Sequence, residues 1–251
     1  MARKKRQLRY RFNTISSVVP EASASWENSL FLTVDIDWAC DDVLENTVNM
    51  LEAADVAATF FVTHDTPVLD RLRANPRFEL GIHPNFNALL AGDPAPGSKA
   101  IDIVERLLEL MPQAKSVRSH SITQSTGLLD IFHRVGLTHD CNNFIPASSN
   151  ITLKPYRLWN GLIKVPYFWE DDVDLLYRRK PDILALVEIE GLRVFNFHPI
   201  HIALNSTTMD AYETSRHVHR DWLRLREYVC PGIGVGTAFK TLLSLAKNAC
   251  K

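Results

Sequence analysis

Apolar and polar positions along this chain fall into short blocks that switch between strand-like and helix-like spacing. Leu30–Val34 is an apolar run that reads as a buried strand, and it leads into two carboxylates, Asp35 and Asp37. Val43–Ala54 reads as a helix, with Val48 and Leu51 on its apolar face and Asp41 or Asp42 as N-cap. Ala57–Thr63 (AATFFVT) is a second strand, Thr66–Arg73 a short helix and Phe78–His83 a third strand. Ala88–Ser98 holds glycine and prolines and reads as a loop. Ile101, Val104, Leu107, Leu108 and Met111 recur at helical spacing and predict a helix over Ala100–Met111. Ser116–Ser119, Leu137–Asp140, Leu162–Val165 and Val194–His198 are further strands. Thr126–Val135, Ala211–Tyr228 and Phe239–Lys247 are further helices.

Strands alternating with helices predict an α/β fold with a mainly parallel sheet covered by helices. No repeat, linker or low-complexity block interrupts the pattern. The expected organisation is one domain over residues 1–251, with a basic tail at 1–25 and C-terminal helices at 206–251. A chain of 251 residues, 46% of them hydrophobic, suits a single α/β barrel. Such barrels gather reactive side chains at the C-terminal ends of their strands. Asp35, Asp37, His83, Arg118 and His198 all fall at that end of their expected strands.

A net charge of −1 gives no reason to expect a nucleic-acid partner. No apolar run reaches the roughly 18 residues of a membrane span. No apolar segment follows the charged start MARKKRQLRYRF, so a cytoplasmic protein is expected. The basic run Arg3–Arg11 reads as a solvated tail, or as a peripheral contact with the anionic inner face of the membrane. Cys40, Cys141, Cys230 and Cys250 are scattered without a CxxC pair, the pattern of reduced thiols rather than of disulfides or structural zinc.

An ionised carboxylate left unpaired in an apolar environment is costly, so two acids closing a buried strand call for solvent or a cation. Asp37 and His83 have the chemistry of ligands to one divalent metal, with zinc expected first and cobalt or nickel next. Asn87 lies four residues beyond His83, and a helical turn there would bring its amide oxygen to the same face as a third ligand. Asp35 shares the strand face of Asp37 and suits a general base. Arg118 is placed to pair with Asp35 and keep it ionised. His198 supplies a proton donor for a leaving group.

The segment YFWEDD (167–172) offers Tyr167 and Trp169 to stack on a sugar ring and acids such as Glu170 to bind its hydroxyls. It equally reads as an acidic turn capping a helix. His120 and His201 lie near these motifs and are expected to line the pocket, as is Asp140. The glycine-rich GIGVG (232–236) lacks the dinucleotide fingerprint and reads as a connector. No GxSxG or Cys–His arrangement points to a serine or thiol hydrolase.

The motifs TVDIDWA (33–39), ATFFVT (58–63), ELGIHPNFN (79–87), VRSHS (117–121) and VFNFHP (194–199) resemble the polysaccharide deacetylases of carbohydrate esterase family 4, the NodB-homology domain. GIHPNF, YFWEDD and FHPIHI resemble a subgroup associated with lipopolysaccharide O-antigen gene clusters. The resemblance implies a deformed (β/α)7 TIM-like barrel that holds one divalent metal, usually zinc or cobalt. It implies Asp35 as base, Asp37 and His83 as metal ligands, Arg118 orienting the base and His198 as general acid. The implied reaction removes an acyl group from an N-acylated sugar or polysaccharide precursor, with the metal and a backbone N–H stabilising the oxyanion. Two positions depart from the family pattern. The second metal histidine falls at Asn87, and the glycine after the acids is Trp38. Two other readings stay open: a catalytically silent barrel that binds a saccharide or a partner protein, and a metal-dependent hydrolase of a small non-sugar amide.

Overall fold

A computed structural model describes residues 10–93 and 98–246. Most of the basic run Arg3–Arg11, together with Lys247 and Cys250, lies outside the described residues. The strands are β1 (Arg11–Asn13), β2 (Ser29–Asp35), β3 (Ala58–Val62), β4 (Phe78–Ile82), β5 (Ser116–Val117), β6 (His139–Asp140), β7 (Tyr156–Arg157), β8 (Ile163–Lys164), β9 (Trp169–Glu170) and β10 (Arg193–Phe197). They form one sheet in the order β7-β8-β6-β5-β4-β3-β2-β10-β9, with β1 also on β2. Every pairing is parallel except β7 with β8. The end strands β7 and β9 do not pair, so the curled sheet is an open half-barrel, the α/β architecture expected.

All seven residues of β2 are buried. Its SLFLTVD sequence has the near-continuous apolar character of a parallel strand covered on both faces. Leu30–Val34 pair with Arg193–Phe197 of β10, and Thr33–Asp35 with Thr59–Phe61 of β3. This register sets the end of β2 inside the sheet, between β3 and β10. The helix Ala100–Leu110 buries Val104 and Leu107, and Asp102 accepts a hydrogen bond from the Lys99 N–H at its start (2.7 Å). The helix Thr126–Arg134 is capped by Ser125, which accepts from the Leu128 N–H at 3.2 Å. No helix among the described residues is long and apolar enough to cross a membrane. Cys40, Cys141 and Cys230 are free.

Several expectations change. The expected tail at 1–25 is folded from Arg11 onward: β1 pairs with β2, and Phe12, Ile15 and Val18 are buried in the core. The apolar residues in RFNTISSVV are what draw this segment in. The expected helix Ala211–Tyr228 is broken into Met209–Ser215 and Trp222–Leu225, joined by a turn. Asp221 starts the second piece by accepting from the Arg224 N–H at 3.2 Å. The last helix begins at Val235, before the expected Phe239. GIGVG is a tight approach rather than a loose connector, because a Cβ on Gly234 would sit 2.2 Å from the Asn205 carbonyl oxygen. The helix over Asp41–Ala54 has Cys40 at its N-cap without a side-chain bond, and Asp41 accepts from the Thr66 hydroxyl instead.

Candidate active site

The C-terminal strand ends converge on a cavity of about 220 Å³, lined by Asp35, Asp37, His83, Arg118, Ser119, His120, Ser121, Ile122, Tyr167, Glu170, Asp172 and His198. Parallel strands make this convergence automatic, since all their C-termini open on one side of the sheet. Three groups of side chains occupy it.

The first group surrounds Asp35, the last residue of β2. Arg118, just beyond β5, donates from Nη1 to Asp35 Oδ1 (3.0 Å) and Thr33 Oγ1 (2.9 Å), and also to Asn196 Oδ1. Asn196 Nδ2 donates to Asp35 Oδ2 at 2.9 Å and to Glu170 Oε1 at 3.2 Å. The guanidinium lies between the Phe61 ring (4.6 Å) and the Tyr167 ring (4.3 Å). Arg118 is 1% exposed and Asp35 2% exposed, so this is a fully desolvated pair. Burial works against the Arg118 charge, but Asp35 and weaker neighbouring charges outweigh it and hold the guanidinium above its usual range.

The second group is Asp37, His83 and His120. Asp37 Oδ1 lies 3.1 Å from His83 Nε2 and 3.4 Å from His120 Nδ1. One donor atom from each residue lies within 4.8 Å of the others, the compactness that a single ion requires. Asp37 Oδ1 and His120 Nδ1 are buried yet make no hydrogen bond. Buried polar atoms left orphaned in this way are rare without an ion or water to satisfy them. The residues therefore fit a divalent cation. Burial alone would push the Asp37 carboxyl up, but the His120 and His83 imidazoles and the His198 charge hold it well below the usual carboxylate range. Asn87 is not in this group. It is exposed, it opens the short helix Asn87–Leu90, and its N–H is taken by Asn85 Oδ1 at 2.9 Å. His120, expected only as a pocket residue, stands with Asp37 and His83 instead.

The third group surrounds His198, just beyond β10. Its Nδ1 lies 2.6 Å from Asp171 Oδ1, and its backbone N–H donates to Asp171 Oδ2 at 2.8 Å. Nε2 faces the cavity, 3.5 Å from Asp37 Oδ2. Burial disfavours the imidazolium, yet Asp172 and Asp171 raise His198 well above its ordinary value. Burial would raise Asp172 too, but the charges of His198 and His201 lower it to about 2. His201 does not line the cavity. Its Nε2 lies 2.8 Å from Asp172 Oδ1, and its Nδ1 shares a hydrogen bond with Ser206 Oγ (3.1 Å).

Tyr167 and Trp169 are not free to stack on a sugar. Tyr167 is 1% exposed and has Arg118 over its ring; Trp169 is 4% exposed, packs on Phe195 and Phe197, and donates to Asp174 at 2.7 Å. Glu170 does line the cavity and accepts from the Tyr167 hydroxyl at 3.2 Å. Burial raises its carboxyl to about 7. Asp140 is buried against Lys164 at 3.0 Å, away from the cavity wall. Asp171 and Asn196 were not singled out for these positions by the sequence. Asn196 left a signal, a polar residue inside the apolar run VFNF.

A family model described as WbmS-like polysaccharide deacetylase matches residues 32–216. The crystal structure of WbmS from Bordetella bronchiseptica, a candidate polysaccharide deacetylase involved in O-antigen biosynthesis, aligns at a TM-score of 0.87 with 43% identity, covering 93% of this chain and 97% of that one. A candidate polysaccharide deacetylase from Mycobacterium smegmatis aligns at a TM-score of 0.46 with 17% identity, over 93% of this chain and 99% of that one. A family 4 pseudoenzyme from Bacillus anthracis aligns at 0.41 with 15% identity, over 83% and 62% respectively. The last two similarities are too distant to carry an argument about this chain. No curated protein matches it. The family match and the 43% identity to WbmS establish that the chain belongs to the WbmS-like polysaccharide deacetylase family.

Proposed function

We propose that this protein is a metal-dependent hydrolase that removes the acyl group from an N-acylated sugar during surface-polysaccharide assembly. The observation that carries the reading is the placement of the Asp37–His83–His120 donor set between a buried carboxylate and a carboxylate-supported imidazole. Asp37, His83 and His120 would hold the cation. A divalent ion bound there supplies Lewis-acid polarisation of the amide carbonyl and a water acidified to near neutral pH.

Asp35 accepts the proton of the attacking water. Arg118 and Asn196 each donate to one of its oxygens, which fixes the carboxylate in place. His198 donates a proton from Nε2 to the departing nitrogen, and Asp171 on Nδ1 fixes the tautomer and stabilises the imidazolium. The O-antigen role of the relative WbmS supports a saccharide of surface-polysaccharide assembly as the substrate class. A silent barrel would draw support from the missing histidine at position 87, but His120 joins Asp37 and His83 in a three-residue donor set.

The test is acyl release from a panel of N-acetylated and N-formylated sugars by zinc-loaded and chelated protein. Acetate or formate from the loaded protein alone supports the reading. Equal release from both preparations, or none from the loaded protein across the panel, contradicts it.

A further inference from the structure

His120 stands on a loop with an unfavourable backbone. Ser121 has φ 55° and Ile122 φ 47°, both in the left-handed region. For a β-branched residue such as Ile122 this is a true outlier, and it persists only where the surroundings over-determine it. Burial of the side chain does not compensate, because Ile122 is 41% exposed. The loop must be held from outside itself.

The hold comes from one buried carboxylate. Asp140, the last residue of β6, is fully buried and does not line the cavity. Its Oδ1 accepts the Asn142 N–H at 2.8 Å, and Asn142 Oδ1 accepts the Ser119 N–H at 2.7 Å, immediately before His120. Its Oδ2 lies 3.0 Å from Lys164 Nζ, at the paired position on β8. That ammonium donates to Gln124 Oε1 at the far end of the loop. The two oxygens of Asp140 thus anchor the loop on both sides of His120, and the His120 N–H bonds the Pro84 carbonyl between them at 2.9 Å. Lys164 is 2% exposed, and a buried ion pair gives little stability that an apolar pair of the same volume would not. What the pair does supply is a fixed path for the loop, along which His120 Nδ1 comes to 3.4 Å from Asp37 Oδ1.

We propose that Asp140, Asn142, Lys164 and Gln124 form a positioning clamp that sets His120 as the third metal donor. The inference rests on the reading of Asp37, His83 and His120 as the ligands of the cation. It adds that the third ligand is oriented from behind the site, by side chains outside the donor set.

Zinc affinity of the full chain, measured by competition against a chelator, tests the clamp in two backgrounds, with His120 intact and with His120→Ala. Gln124→Ala removes an exposed side chain, so the fold should hold while zinc binds about tenfold more weakly, the lower end of what loss of an outer-shell partner costs. Gln124→Glu keeps an acceptor for Lys164 and should retain the wild-type affinity. Lys164→Met combined with Asp140→Asn removes both buried charges together and should weaken zinc by up to about 100-fold. In the His120→Ala background none of these changes should alter the affinity further, because the clamp acts only through that ring. Clamp variants that bind zinc as the wild type does, or that lose the same factor in both backgrounds, overturn the clamp and leave the donor set standing. A wild-type chain that binds no zinc, or a His120→Ala chain that binds it unchanged, overturns the donor set and the clamp with it.

Discussion

His198 Nδ1 lies 2.6 Å from Asp171 Oδ1, and the same carboxylate accepts the His198 backbone N–H through its other oxygen at 2.8 Å. One side chain therefore fixes both the ring and the backbone of the proposed general acid. Asp171 is fully buried, so its effect on the imidazole is little screened. Asp171→Asn keeps the shape and removes the charge. Deacetylation should fall by about 10²–10⁴-fold, the usual worth of a general acid. The reactive form of His198 is protonated, and the neighbouring carboxylates raise its pKa. Removing one of them lowers it, so the alkaline limb of the pH–rate profile should move to lower pH. A profile measured on both proteins checks the direction.

Arg118 and Asp35 form a pair that cannot be broken from one side without leaving a charge in the core. Arg118→Met should cost about 3–5 kcal/mol of stability. Arg118→Met combined with Asp35→Asn should recover part of that loss, because neither charge then remains. Urea unfolding of the single and double variants gives the coupling directly.

His120 and Asn87 make opposite predictions for metal binding. His120→Ala removes a donor and should weaken zinc binding by more than the about 10–100-fold that loss of an outer-shell partner costs. Asn87→Ala should leave the zinc affinity unchanged, since the residue is exposed and does not line the cavity. Competition titration against a chelator of known affinity separates the two.

Glu170 holds its proton to about pH 7 in the folded protein, mainly through burial, against an ordinary value of 4.5. The folded state thus binds this proton more tightly than the unfolded chain does. The stabilisation it brings is fully present below the unfolded value and is lost as pH rises through the folded one. Stability should decline between about pH 4.5 and pH 7, and Glu170→Gln should flatten that decline. Chemical denaturation at several pH values measures the slope.

Much of the site was legible because its members close apolar runs. Asp35 closes a strand, and His83, Arg118 and His198 each directly follow one, and parallel pairing brings the strand ends together. Asn87 misled because the spacing argument assumes a helix running from His83. The structure starts that helix only at Asn87, after Pro84–Phe86, so the i, i+4 relation never applies. His120 was underrated because its position depends on a turn that periodicity does not reveal. Ser121 (φ 55°) and Ile122 (φ 47°) are left-handed, and the His120 N–H bonds the Pro84 carbonyl at 2.9 Å, which folds this loop against the His83 segment. Asp171 stood out only as one acid of YFWEDD. Its role follows from the pairing of Glu170 with Asn196, a long-range register that no local pattern carries.

Asp35 is the proposed base of a metal-dependent deacetylation and not a metal ligand. Zinc content and acetate release, measured on the same preparations of the wild-type protein and Asp35→Asn, test it most directly. One zinc per chain is expected in both proteins, with acetate from the wild type alone. Zinc lost together with activity in Asp35→Asn, or acetate released equally by both proteins, would contradict it.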